Sequence, residues 1–292
     1  MKGKIYSIRS DFADELLTKD VTSETYTYTE KKNDHLTSHY IRVLAKENEL
    51  GKEIGDYVTI EFQDIFDHDL RDEIAVAIQE NMQKMLDEMH LDPQKILVVG
   101  LGNRFITSDA LGPEVADDIM VTAHLYTYER KELLDGTRNV AVIQPGVMGQ
   151  TGMESFAIVD AISKSYEPDL IIAVDALATR NTDRINRVVQ INNTGIQPGS
   201  GVGNHRLSLS QKTLGVPVIA VGIATVTSIG AILKEALLQT DIDADEILSA
   251  LHEHNNLDLV VTPKSMDDEL KHLSYIVSKS LNILIHPGYE RL

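Results

Sequence analysis

The chain has 292 residues, with 27 Lys and Arg against 45 Asp and Glu, a formal charge of -18, and neither Cys nor Trp. So acidic a surface repels phosphate backbones, and no direct nucleic acid binding is expected. The missing thiols exclude disulfide frameworks, thiolate zinc sites and cysteine nucleophiles. The opening segment MKGKIYSIRSDFADELLTKD has lysines but no apolar run behind them, and no stretch reaches the ~18 apolar residues of a bilayer span. A cytoplasmic chain without a membrane partner is expected.

Residues 21–32 are rich in alternating Thr and Tyr, and with His39–Ala45 and Tyr57–Phe62 they predict a small β-rich part over the first sixty or so residues. From Asp69 to Met89, Leu70, Ile74, Ile78, Met82, Met85 and Met89 recur at helical spacing. The middle of the chain then repeats one phrase, an apolar run followed by glycine and a helical pattern. Its runs are Ile96–Leu101, Val140–Ile143, Leu170–Asp175, Val188–Ile191 and Val216–Val221. Such runs are strands buried on both faces, so the fold class expected is α/β: an αβα sandwich with a mainly parallel central sheet and an N-terminal β-rich elaboration. Two further helices are predicted at Ala244–Glu253 and Met266–Leu284, jointed at Thr262-Pro263. No interdomain linker is present, so residues 12–292 read as one domain whose β-rich part is 12–65.

Ligands in such folds bind beyond the carboxyl ends of strands, and two carboxylates are delivered there. In VVGLGNRFITSDALGP (98–113) a buried strand ends at Gly100-Leu101-Gly102-Asn103, and a loop leads to Asp109. Asp175 closes the run LIIAV. Each has a plainer reading, Asp109 as the N-cap of a helix near Glu114–Met120 and Asp175 as a turn residue paired with Arg180. If their strands are neighbours, mutual repulsion leaves one carboxyl protonated and one charged, a general acid and a general base for hydrolysis. Two glycine-bearing loops, 144–152 with Gly149 and 195–206 with Gly199, Gly201 and His205, either frame a peptide cleft or oxyanion site or are tight turns. Ser200 lacks the G-x-S-x-G frame of a nucleophile. His35 and His39 lack the intervening Glu of H-E-x-x-H and read as surface histidines; Asp241-x-Asp243-x-Asp245 has Glu246 where a calcium loop needs Gly. The two glycines Gly100 and Gly102 without a third are a weak dinucleotide signal.

From about Gly51 to Val226 the phrases VVGLGNRFITSDALGP, QPGVMGQTGMES, LIIAVDALATR, INNTGIQPGSGVGNHR and LGVPVIAVGIATV occur in the order found in the spore germination protease family, which the chain resembles. The resemblance implies an atypical aspartic endopeptidase that degrades small acid-soluble spore proteins in the spore core. It implies no cofactor, and a homo-oligomeric, commonly tetrameric zymogen that clips its own N-terminus. The family's two essential aspartates correspond to Asp109 and Asp175. Its preference for cutting after an acidic and before an apolar residue, tried on Arg9-Ser10-Asp11-Phe12-Ala13-Asp14-Glu15, predicts self-cleavage between Asp11 and Phe12 and a pro-segment of residues 1–11. Ser108 and His205 depart from the family's Pro and Lys. A more distant likeness is to the hydrogenase maturation endopeptidases, whose G-x-G-N loop serves a nickel-dependent cleavage; on that reading Asp109, Asp175 and a third group such as His205 would be ligands. A non-catalytic peptide-binding module and a nucleotide-binding protein are the remaining alternatives.

Overall fold

The computed structural model describes residues 8, 10–17, 23–128, 135–199, 207–238, 244–252, 257 and 259–288. In chain order they form β1 (Tyr26–Lys32), β2 (Leu36–Val43), β3 (Gly55–Phe62), α1 (His68–Glu88), β4 (Lys95–Gly100), α2 (Leu111–Asp117), α3 (Ala123–Thr127), β5 (Asn139–Ile143), α4 (Met148–Thr151) and α5 (Ser155–Tyr166). There follow β6 (Leu170–Thr179), β7 (Val188–Asn192), α6 (Gln211–Leu214), β8 (Val218–Ser228), α7 (Ile229–Leu237), α8 (Ala244–His252), β9 (Val260–Val261) and α9 (Met266–Ile285). Short 3-10 turns at Asp14–Leu16, Thr107–Asp109 and Thr182–Arg184 carry residues of the site.

All nine strands join one sheet in the order β1-β2-β3-β7-β8-β6-β4-β5, with β9 beside β8. The α/β class is as expected, and parallel pairing is confined to β8, β6, β4 and β5, the strands that alternate with helices. β7 runs antiparallel to both β3 and β8, and so splices the N-terminal meander β1-β2-β3 onto the parallel half. The β-rich start of the chain is therefore a continuation of the main sheet.

Two different coverings bury the two faces. On one, α1, α2 and α9 set Ile74, Ile78, Met82, Val115, Leu273 and Val277 against Ile172, Val174, Ile219 and Val221 of the sheet. Asp67 starts α1 by accepting from the backbone N–H groups of Asp69 and Leu70, which have no partner within the helix. On the other face α5 covers only the parallel half, through Val159 and Phe156 against Leu97, Val99, Ile171 and Ala173. The antiparallel half is covered by the N-terminal segment itself, residues 10–17, which we call the strap. Phe12 packs on Leu177, Val188 and Ala224, and Ala13, Leu16 and Leu17 pack on Tyr26, Ile41, Val43 and Tyr57. No helix among the described residues is long and apolar enough to cross a membrane.

Candidate active site

The unequal lengths of neighbouring strands create the site. β4 stops at Gly100, which pairs with Val174, whereas β6 continues to Thr179 and β8 to Ser228. Asp175 is thus the first residue of β6 without a β4 neighbour, in mid-strand and not at its end, and only 5% exposed. The free edge of β6 is satisfied by other means. Leu101 N donates to the Val174 carbonyl at 2.8 Å, and the Asp175 carboxylate Oδ1 accepts from Ala176 N at 2.9 Å. Asp11 N donates to the Ala178 carbonyl at 3.1 Å while its Oδ2 accepts from Ala178 N at 2.8 Å. An exposed strand edge of this kind is a template for an extended peptide, and here the chain's own strap supplies the pairing residue.

The loop after β4 turns over the same end. Asn103 N donates to the Asp109 carbonyl at 2.9 Å, closing the loop, and Thr225 Oγ1 donates to the Ser108 carbonyl at 2.6 Å, pinning it to β8. Thr225 reaches it because the register slips there: Leu177 faces Ala224 and Ala178 faces Val226, leaving Thr225 as the extra residue of a bulge. Gly102 has φ +112°, and a Cβ on it would stand 2.0 Å from the Asp109 carbonyl oxygen and 3.2 Å from its Oδ1. Only glycine admits Asp109 so closely. The position capping α2 is Ala110, so the helix-cap reading of Asp109 does not hold. Asp109 and Asp175 are accordingly placed by adjacent strands, one on the loop leaving β4 and one on β6 at the next level.

Of the glycine loops, 144–152 joins this end of the sheet: Gln150 Nε2 donates to Asn103 Oδ1 at 2.5 Å, and Arg104 donates to Gln144 Oε1 and pairs with Asp117, both at 2.7 Å. Gly149 lies in α4 with open space around it. Gly199 is a positive-φ residue of the second loop, whose Ser200, Gly201 and His205 lie outside the described residues. His39 is not a surface group. It sits in β2 with its side chain 14% exposed, 2.9 Å from the Tyr28 hydroxyl and 3.7 Å from Glu61. Asp14, His39 and Glu61 converge closely enough to hold an ion, but the Asp14 and Glu61 carboxylates already pair with Arg184, at 2.7 and 3.1 Å.

Three polar residues on the strap's path had no sequence signal. The Asp11 carbonyl oxygen accepts from Lys52 Nζ at 2.8 Å and from Gln190 Nε2 at 2.9 Å, and Gln190 Oε1 accepts from Ala13 N at 2.8 Å. Gln190 pairs with Gly222, and Gly222 with Asp175, so the three form one row across β7, β8 and β6. Burial pulls the Lys52 ammonium below the usual lysine range. The third is Arg184, which holds Asp14 and Glu15. A cavity of about 750 Å³ opens beside Asp11, walled by Lys52, Tyr57, Gln190, Asn192 and Gly222. Neither Asp109 nor Asp175 lines it. Two of its walls adjoin Asp175: Gly222, its partner on β8, and Leu177, two residues along the strand on the same face, on which Phe12 rests.

Comparison with known proteins decides the family. The germination protease family model matches residues 9–240. The chain belongs to the germination protease family. This family member is 38% identical to the germination protease of Clostridium tetani, over 86% of this chain and 85% of the relative. It is 36% identical to that of Caldanaerobacter subterraneus subsp. tengcongensis over 97% and 96%, and 38% identical to that of Bacillus subtilis over 80% and 66%. Membership makes it a peptidase of spore germination. Among solved structures, a hydrogenase maturation protease from Thermococcus kodakarensis aligns with 67% of this chain and 97% of its own, at TM-score 0.36 and 17% identity.

Proposed function

We propose that the chain is an aspartic endopeptidase of the spore core that degrades small acid-soluble spore proteins, is made as a zymogen, and matures by cutting its own Asp11–Phe12 bond. Residues 1–11 are then the pro-segment, and the working form is a homo-oligomer, a tetramer by family resemblance. The observation that carries this reading is the posture of the strap. Its Asp11–Phe12 peptide lies on the sheet face that bears Asp175, with the carbonyl oxygen held by two donors and the following phenylalanine wholly buried.

The chemistry is a hydrolysis. One of Asp109 and Asp175, as carboxylate, takes a proton from water, and the resulting hydroxide adds to the Asp11 carbonyl carbon. The developing oxyanion stays where the carbonyl oxygen already is, between Lys52 Nζ and Gln190 Nε2, and a charged donor there favours the tetrahedral state over the ground state. The other aspartate, protonated, delivers its proton to the Phe12 nitrogen as the C–N bond breaks. The products are the Asp11 carboxyl group and the Phe12 amine, which settle as carboxylate and ammonium; the aspartate that took a proton from water then releases it, and the one that donated regains one, so the pair is restored with no net proton consumed. Spore proteins held on the duplex would not sequester a protease of charge -18 beside them.

The reading is tested by incubating the purified chain with a small acid-soluble spore protein and sequencing the new termini. Cuts after acidic and before apolar residues are expected. An undigested substrate, or cuts without that preference, contradicts it.

A further inference from the structure

Resting on the self-processing reading, the strap also shows how residues beyond the cut bond are held. Counting from Phe12 as the first residue after the bond, Asp14 is the third and Glu15 the fourth. Both side chains are nearly inaccessible, at 8% and 6% exposure, and both converge on Arg184, itself 11% exposed. Arg184 Nη2 meets Asp14 Oδ2 at 2.7 Å and Nη1 meets Glu15 Oε1 at 2.8 Å, so the guanidinium fork spans two carboxylates.

Neutral donors complete the arrangement. Thr59 Oγ1 donates to Asp14 Oδ1 at 2.9 Å, Arg180 N donates to Glu15 Oε2 at 2.8 Å, and Thr179 Oγ1 donates to Glu15 Oε1. All of these donors belong to the sheet or to the β6–β7 connection, where Asn181 caps the turn that carries Arg184. The same guanidinium lies over the Phe12 ring, 5.1 Å from its centroid, and so joins the apolar pocket to the carboxylate pocket. Burying three charges is costly unless each is paired and hydrogen-bonded. When the strap leaves, Arg184 keeps Glu61 as its ion-pair partner, while the donors that faced Asp14 and Glu15 lose theirs.

We propose that Arg184, with Thr59, Thr179 and the Arg180 backbone N–H, is a specificity subsite for acidic peptides, selecting substrates with carboxylates at the third and fourth residues after the cleaved bond. The strap's own Asp14 and Glu15 occupy this subsite in the uncut chain. A substrate must present the same two charges to displace them.

Binding is measured on the full chain carrying D14N and E15Q, so that the strap no longer offers carboxylates, and D175N, so that nothing turns over. The probes are fluorescein-labelled Ser-Asp-Phe-Ala-Asp-Glu and its neutral counterpart Ser-Asp-Phe-Ala-Asn-Gln. Anisotropy is expected to give the acidic peptide an affinity roughly tenfold to a hundredfold higher, the range for charge-assisted bonds to a buried fork. Adding R184Q brings the ratio close to one, and R184K, which keeps the charge without the fork, gives an intermediate ratio. Equal affinities on the Arg184 chain, an unchanged ratio in R184Q, or failure of both peptides to bind overturns the subsite. Because the peptides are compared on one unchanged protein, a folding defect in R184Q does not decide the outcome. Turnover of the same peptides by the wild-type chain separates the two claims. Equal cleavage of both removes the subsite and leaves the protease; selective binding with no cleavage of either removes the protease reading alone.

Discussion

Phe12→Ala should release the strap without unfolding the sheet. Phe12 is fully buried against Leu177, Val188 and Ala224. An aromatic of this size hides ~150 Å² or more, about 4 kcal/mol at ~25 cal/mol per Å². Truncation keeps the Cβ, leaving about 3 kcal/mol, the low end of the usual Phe-to-Ala cost. The strap is a terminal segment laid on a finished sheet, so the loss appears as local opening. With 1.4 kcal/mol per tenfold, the amides of Asp11 and Ala13, bonded to Ala178 and Gln190, should exchange about a hundredfold faster. Hydrogen exchange read by mass spectrometry, on an Asp175→Asn background that keeps the chain intact, measures this directly. Protection of residues 10–17 equal to that of the unsubstituted background would refute the reasoning, since the strap would then be held by something other than its phenylalanine.

Lys52→Met removes the charged donor on the Asp11 carbonyl and should slow self-cleavage about a hundredfold or more, read as the rate at which the Phe12 terminus appears; an unchanged rate removes Lys52 from the chemistry. Gly222→Ala puts a Cβ 2.5 Å from Leu177 Cγ and 2.9 Å from the Asp175 carbonyl oxygen, so Leu177 must move from beneath Phe12. Thermal melts should show a loss of about 1–3 kcal/mol, and a neutral effect would mean that the pocket floor is loose. For His39 burial lowers the pKa, but the Glu61 carboxylate 3.7 Å away and the charges of Asp14 and Glu30 outweigh it and hold it above 6.5. Its stabilisation is therefore complete below the unfolded value and fades as pH rises through the higher folded one. The Glu61 carboxyl is held below 4.5 by the nearby His39 imidazole, with Arg184 adding to it, so its contribution fades only as pH falls through that lower value. His39→Asn should cost more stability at about pH 6 than at about pH 9, and a deficit independent of pH contradicts the pairing.

The parallel strands were legible because helices bury both of their faces, and sandwiched strands write themselves as uninterrupted Val, Ile and Leu. The second halves of β6 and β8, Ala-Leu-Ala-Thr and Gly-Ile-Ala-Thr-Val-Thr-Ser, were not, because helices cover Ala176 and Ile223 on one face only and the strap covers Leu177 and Ala224 on the other. The antiparallel direction of β7 depends on what flanks it in space, which Val188–Ile191 does not encode. Asp175 stood out because it directly follows a run of buried positions, and Asp109 because the glycine-bearing loop that leaves a buried strand leads to it. Lys52, Gln190 and Arg184 are single polar residues in no pattern, and their partners lie 41, 179 and 170 positions away in the strap. The available signal was in the strap itself, where Asp-Phe-Ala-Asp-Glu offers two carboxylates that require a cation.

The most direct test is intact-mass analysis of the full chain, incubated alone, beside its Asp109→Asn and Asp175→Asn forms. The account predicts loss of residues 1–11 from the parent chain, leaving Phe12 as the terminus, and no loss from either variant at matched thermal stability. A parent chain that stays whole, or a variant that clips itself at the same bond and rate, contradicts it.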